Sequence, residues 1–152
     1  MKILCRLFVF LCGVWFLFKP EITAPSKQYT PNPTIQQFIK NNVPKKELKV
    51  RITAYWAKGG DTDSWSAKRQ SSTGVRLKPN VSVAVDPRII PYFSRVYIPN
   101  LGMRIAHDTG TDVIRRKASR GKYPVIDIFF LHKKDALKFA NNNPKIVKVA
   151  VY

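Results

Sequence analysis

Asp86, Asp108 and Asp127 are the side chains best placed for acid–base chemistry. Asp86 closes the apolar run Val81–Val85. Asp108 closes a run containing Ile105-Ala106, and Asp127 lies inside the apolar stretch Val125–Phe130. A carboxylate set among apolar residues loses solvation, which raises its pKa or demands a hydrogen-bond partner. Carboxylates in unlike environments are how one acid stays protonated at neutral pH. The plainer alternative is that each caps a turn, because Asp86-Pro87 and Asp108-Thr109-Gly110 are good turn sequences.

Subtraction strengthens the focus on aspartate. Between Leu48 and Tyr152 there is no glutamate and no cysteine, only two histidines, His107 and His132, and seven aspartates. Asp61 and Asp63 fall in a polar loop that opens with Gly59-Gly60 and read as solvated turn residues. Asp135 reads as a helix-start residue. Asp112 adjoins a basic run and reads as exposed. His107 adjoins Asp108, but neighbouring strand residues point to opposite faces, so it is not the expected partner. No G-x-S-x-G elbow occurs; a Ser-Lys pair stays open. The scattered aspartates lack clustered metal-ligand spacing, and no cofactor is expected.

The elements that position these residues are mostly strands. Leu48, Val50, Ile52 and Ala54 alternate with polar residues, as a half-buried strand does. Further strands are expected over 81–85, 95–98, 103–106, 125–130 and 145–152. A helix is expected over Lys133–Asn141, stopped by Asn141-Asn142-Asn143-Pro144. Six short strands with one helix suggest a small barrel, whose closure removes exposed edges. Residues 48–152 thus form one mainly β domain. Ahead of it, 20–47 holds five prolines and reads as a spacer, with a short helix over Thr34–Asn42 carrying Ile35, Phe38 and Ile39 on one face.

The chain of 152 residues has a formal charge of +18, which predicts an anionic partner: nucleic acid, anionic lipid or wall polymer. The N-terminus narrows that choice. Lys2 and Arg6 precede the apolar run Leu7–Phe18, ended by Lys19-Pro20, the layout of an export signal or membrane anchor over 1–19. Cys5 and Cys12 both lie in it. An exported location, periplasmic or cell-envelope with an anchor in the inner membrane if uncleaved, argues against nucleic acid.

Four ordered motifs carry a resemblance. They are Ala84-Val85-Asp86-Pro87-Arg88-Ile89-Ile90-Pro91-Tyr92, Arg95-Val96-Tyr97-Ile98-Pro99, Ala106-His107-Asp108-Thr109-Gly110 and Ile126-Asp127-Ile128-Phe129. Together they resemble the 3D domain, named for three aspartates, of membrane-bound lytic murein transglycosylase A and of stationary-phase survival proteins. The resemblance implies a double-psi β-barrel that cleaves the β-1,4 bond between N-acetylmuramic acid and N-acetylglucosamine in peptidoglycan, leaving a 1,6-anhydro end. It implies Asp108 as general acid and later base, Asp127 supporting it or sharing the proton, and Asp86 holding the geometry. Thr53, Tyr55, Ser72, Thr73, Thr109 and Gly110 would line the sugar cleft. The alternatives are a non-catalytic wall-binding module or a cationic nucleic-acid binder. Two departures stand out. Thr111 replaces a glycine and begins a long basic insertion through Lys122, and Phe93 replaces another glycine, so its backbone must tolerate a Cβ.

Overall fold

The computed structural model describes residues 32–152. The expected signal or anchor over 1–19 and residues 20–31 of the spacer lie outside them; among the described residues no helix is long and apolar enough to cross a membrane. Six strands close into a barrel in the order β1-β5-β2-β4-β3-β6. They are β1 (Lys46–Lys58), β2 (Ser82–Ala84), β3 (Arg95–Ile98), β4 (Gly102–Asp108), β5 (Val125–His132) and β6 (Ile146–Val151). β1 runs parallel to β5 and β2 parallel to β4, while the other neighbours are antiparallel. The mainly β, closed-barrel class expected from alternation is the class observed.

Alternation also sorts the two faces of the wall. Val50, Ile52, Val83, Val96, Ile98, Ala106, Ile126, Ile128, Val149 and Val151 are buried in one cluster, the barrel core. The residues between them face outward, yet on one side they are covered too. Tyr55, Ala57, Leu77 and Phe129 form a second cluster, and Ala84, Val113 and Val125 a third. The cover comes from two long connections, 59–81 between β1 and β2 and 109–124 between β4 and β5. A strand covered on both faces loses its alternation and becomes continuously apolar. This is why Val125–Phe130 reads as one apolar stretch, and why an aspartate inside it is conspicuous.

Among the described residues four α-helices decorate the barrel: α1 (Pro33–Asn41), α2 (Ser64–Lys68), α3 (Thr111–Ile114) and α4 (Lys133–Asn142). α1, expected within the spacer, lays Phe38 against Tyr152 at 5.2 Å between ring centroids. α4 starts immediately after β5 ends, and Asp135 lies in its first turn as expected. α2 falls where a polar loop is expected. Asp63 caps it, accepting hydrogen bonds from the Trp65 and Ser66 amides at 2.9 and 2.8 Å. Asp63 is therefore a helix cap rather than a solvated turn residue. Asp61 pairs with Lys133, and Asp112 with Lys117, each aspartate on exposed surface. Phe93 takes φ +65°, the left-handed region its lost glycine predicted. Its amide donates to the Ala106 carbonyl at 2.8 Å and the residue is 59% exposed, so the side chain meets solvent rather than core.

Candidate functional site

Strand register assembles the site before any side chain is considered. Thr53 on β1 pairs with Asp127 on β5, Asp127 pairs with Ala84 on β2, and Ala84 pairs with Asp108 on β4. Residues paired laterally across a sheet share a face. Thr53, Asp127, Ala84 and Asp108 therefore form one row across the outer face of the barrel wall. Ala84, 3% exposed, separates the two aspartates and is the smallest side chain that still marks the face.

A bulge makes this row possible. Val83 pairs with Ala106, but the next residue, Ala84, pairs with Asp108 rather than His107. A two-for-one pairing of this kind inserts a residue and reverses the facing of the residues beyond it. Without it Asp108 would point with Ala106 toward the barrel core. The inserted His107 goes elsewhere, its Nδ1 lying 3.0 Å from the Ser82 hydroxyl. It is thus not a partner of Asp108, as strand geometry predicted. Burial, and then the nearby charge of Lys78, hold its pKa below the usual value, so it is neutral at neutral pH.

Asp108 is 7% exposed, and both its oxygens accept hydrogen bonds. Oδ2 takes the Tyr55 hydroxyl at 3.0 Å and Oδ1 the Ser72 amide at 2.8 Å. Burial and the Asp108 charge raise the Tyr55 pKa far above its ordinary value, so Tyr55 remains a donor. Asp127 differs. Its Oδ1 is buried and has no hydrogen-bond partner among the described residues. Burial pushes its pKa up to about 7; Asp108 adds to the rise, and a hydrogen bond from Thr53 opposes it. Two neighbouring carboxylates thus sit in unlike environments, one with a donor on each oxygen and one with a buried oxygen left unpartnered. Unlike surroundings of this kind let two carboxylates in one site take different roles.

Asp86 stands apart. Its side chain is almost wholly buried and clamped by Arg88, with Nε on Oδ1 at 2.9 Å and Nη2 on Oδ2 at 2.8 Å. The Arg88 hydrogen bonds outweigh burial and hold its pKa below the carboxylate range. Its carbonyl accepts from the Ile89 and Ile90 amides at 2.9 and 3.0 Å. Asp86 locks the turn leaving β2 and does not line the cleft over the row.

That cleft has a volume of about 810 Å3. Its floor is Tyr55, Ala84, Asp108 and Asp127. One wall comes from the first long connection, with Trp65 and Ser66 on α2, then Gln70, Ser71, Ser72 and Gly74. The other comes from Thr109 to Val113. Of the expected lining residues, Tyr55, Ser72, Thr109 and Gly110 are in it. Thr53 lies beneath, against Asp127. Thr73 turns away to donate to the His107 carbonyl at 2.7 Å. Sequence reasoning missed Ala84 and Trp65. Trp65 is 62% exposed on the cleft wall, and the available signal was the Asp63 cap two residues before it.

Residues 81–150 match the 3D domain, a span that contains all three aspartates. The chain carries a 3D domain. Two curated relatives come from Bacillus subtilis. A "Putative cell wall shaping protein YabE" is 38% identical over 104 residues, 66% of this chain and 22% of that protein. A "Cell wall-binding protein YocH" is 34% identical over 125 residues, 80% of this chain and 38% of that protein. The chain therefore spans well under half the length of either. Among solved structures, the lytic transglycosylase LtgG of Burkholderia pseudomallei is 25% identical, covering 53% of this chain and 24% of its own, with a TM-score of 0.38.

The environment of Asp127 in this 3D domain has a measurable consequence for stability. Its pKa is about 7 folded and about 3.9 unfolded. The folded state then holds a proton that the unfolded state releases. The stabilisation is fully present below pH ~4 and is lost as pH rises through ~7. Asp127→Asn keeps the shape without the titration. It is expected to raise stability at pH 8 by on the order of 4 kcal/mol and to change it little at pH 4. Denaturant unfolding at the two pH values measures this; equal stabilisation at both would show that Asp127 does not titrate as described.

Proposed function

We propose that this 3D domain cleaves peptidoglycan glycan strands as a lytic transglycosylase in the cell envelope. The observation that carries the reading is the pair of unlike carboxylates, Asp127 and Asp108, on the floor of an open cleft. The relatives' names, cell wall shaping and cell wall-binding, support the wall as its partner.

In this reading Asp127 holds the proton. It gives that proton to O4 of the leaving N-acetylglucosamine as the bond from C1 of N-acetylmuramic acid breaks. Asp108, held by Tyr55 and Ser72, faces the positive charge that develops at the sugar ring. The 6-hydroxyl of the same muramic acid attacks C1, and its proton passes to the Asp127 carboxylate. The acid is regenerated and no water is consumed. Intramolecular attack carries a large effective molarity, so a separate water-activating carboxylate is unnecessary. This assigns the first proton to Asp127, where the resemblance alone favoured Asp108. Trp65 on the wall offers a flat face for a sugar ring. Asp86 acts through the turn it locks.

The name of the wall-binding relative favours a second reading, a module that binds the wall without cutting it. Incubation with purified sacculi separates the two. Cutting releases soluble muropeptides in proportion to time and enzyme. Binding alone leaves all sugar in the pellet together with the protein, and that result would overturn the catalytic reading.

A further inference from the structure

The connection from Thr111 to Pro124 does more than wall the cleft. Between Thr111 and Lys122 it carries Arg115, Arg116, Lys117, Arg120 and Lys122 against a single acid, Asp112. Lys117 is taken by Asp112 at 3.2 Å. Arg115, Arg120 and Lys122 are exposed and make no ion pair among the described residues.

The segment is held in shape, not left as a free run of charge. Arg116 and Arg120 adopt left-handed backbone, at φ +53° and +51°. The Arg116 carbonyl accepts from the Ser119 and Gly121 amides at 3.1 Å each. The Ser119 hydroxyl donates to the Tyr123 carbonyl at 2.6 Å and accepts from the Tyr123 amide at 3.1 Å. Lys49 of β1 lies over the Tyr123 ring at 5.6 Å and extends the cationic surface. This fixed array begins within one helical turn of Thr111, Asp112 and Val113, which line the cleft.

We propose that this basic excursion is a subsite for the carboxylates of the peptide chains that branch from the glycan strand. The inference rests on the glycan reading of the cleft. A strand lying over Asp108 and Asp127 has its peptides projecting sideways past the rim, and the rim on the 111–122 side is where unpaired cations stand. The α2 side is less cationic: 59–81 carries Lys68, Arg69, Arg76 and Lys78 against Asp61 and Asp63, four cations to two acids, where 111–122 has five to one, so the larger excess lies on the 111–122 side. A phosphodiester wall polymer would be drawn by the same sign of charge. It would have no reason to require continuity with the cleft, and that distinguishes the two.

The test compares glycan strands bearing their peptides with the same strands stripped by an amidase. Binding is measured in the Asp127→Asn background, so that strands are not consumed. The second protein adds Arg115→Gln, Arg120→Gln and Lys122→Gln, with thermal unfolding to confirm that it is folded. Exposed ion pairs contribute modestly, so three together are expected to give a ~10-fold preference for peptide-bearing strands. The triple substitution is expected to abolish that preference while leaving affinity for stripped strands unchanged. A preference that survives the triple substitution overturns the proposal. So does an equal loss on both strands, or a loss seen only when teichoic acid is present. Equal binding of both strands by the parent protein overturns this subsite alone. Binding of neither overturns the glycan reading with it.

Discussion

Asp127→Asn is expected to lower strand cleavage by ~10²–10⁴-fold, the usual contribution of a positioned general acid. The loss comes without loss of fold, because the same substitution relieves a buried carboxylate that has an unpartnered oxygen. A side chain whose removal stabilises the protein at pH 8 and abolishes its activity is there for chemistry, not for architecture. In the parent protein, activity is expected to fall as pH rises through about 7, where Asp127 loses its proton. Initial rates of muropeptide release on either side of that pH would display the limb. A flat profile, or an Asp127→Asn protein with undiminished release, would contradict the assignment.

Asp108→Asn is expected to cost ~10²–10³-fold, the range for losing one preorganised electrostatic contact in a transition state. Two donors, the Tyr55 hydroxyl and the Ser72 amide, point at this carboxylate. An asparagine offers one oxygen to them and turns an N–H₂ toward the other, so one donor is left facing a donor. The more telling readout is the pH profile. The Asp108 charge contributes to the raised pKa of Asp127. Neutralising it is expected to move the alkaline limb of the residual activity to lower pH. A purely structural role for Asp108 would reduce the rate and leave that limb in place.

The two aspartates differ in how far their surroundings could be read from sequence. Asp127 was legible, because its neighbours Val125, Ile126, Ile128 and Phe129 are apolar on both sides of the strand. The structure buries all four and raises the Asp127 pKa as that context predicts. Phe93 was legible for a similar reason, since a residue in a glycine's place must take the glycine's backbone. The helix α4 and the six strands came from periodicity and stop signals. The facing of Asp108 was not legible. Counting by twos from the buried Ala106 sends it into the barrel, and only the bulge at His107 turns it out. A bulge is set by how two strands pair, and β2 lies about twenty residues upstream of it. Ala84 was missed on the same ground, since its place between two aspartates exists only across strands. Asp86 was grouped with the other two because all three end or interrupt apolar runs. The Arg88 clamp, two residues on, shows that a strand-end aspartate can serve the turn while its neighbours face the cleft.

The central claim is that Asp127 and Asp108 break the glycan strand without water. Mass spectrometry of the new ends made from purified sacculi tests it directly. A 1,6-anhydro end is lighter than a reducing end by one water. Anhydro-muropeptides are the expected products of the parent protein, and they are expected to disappear in Asp127→Asn. Reducing ends, or no soluble products at all, would contradict the claim.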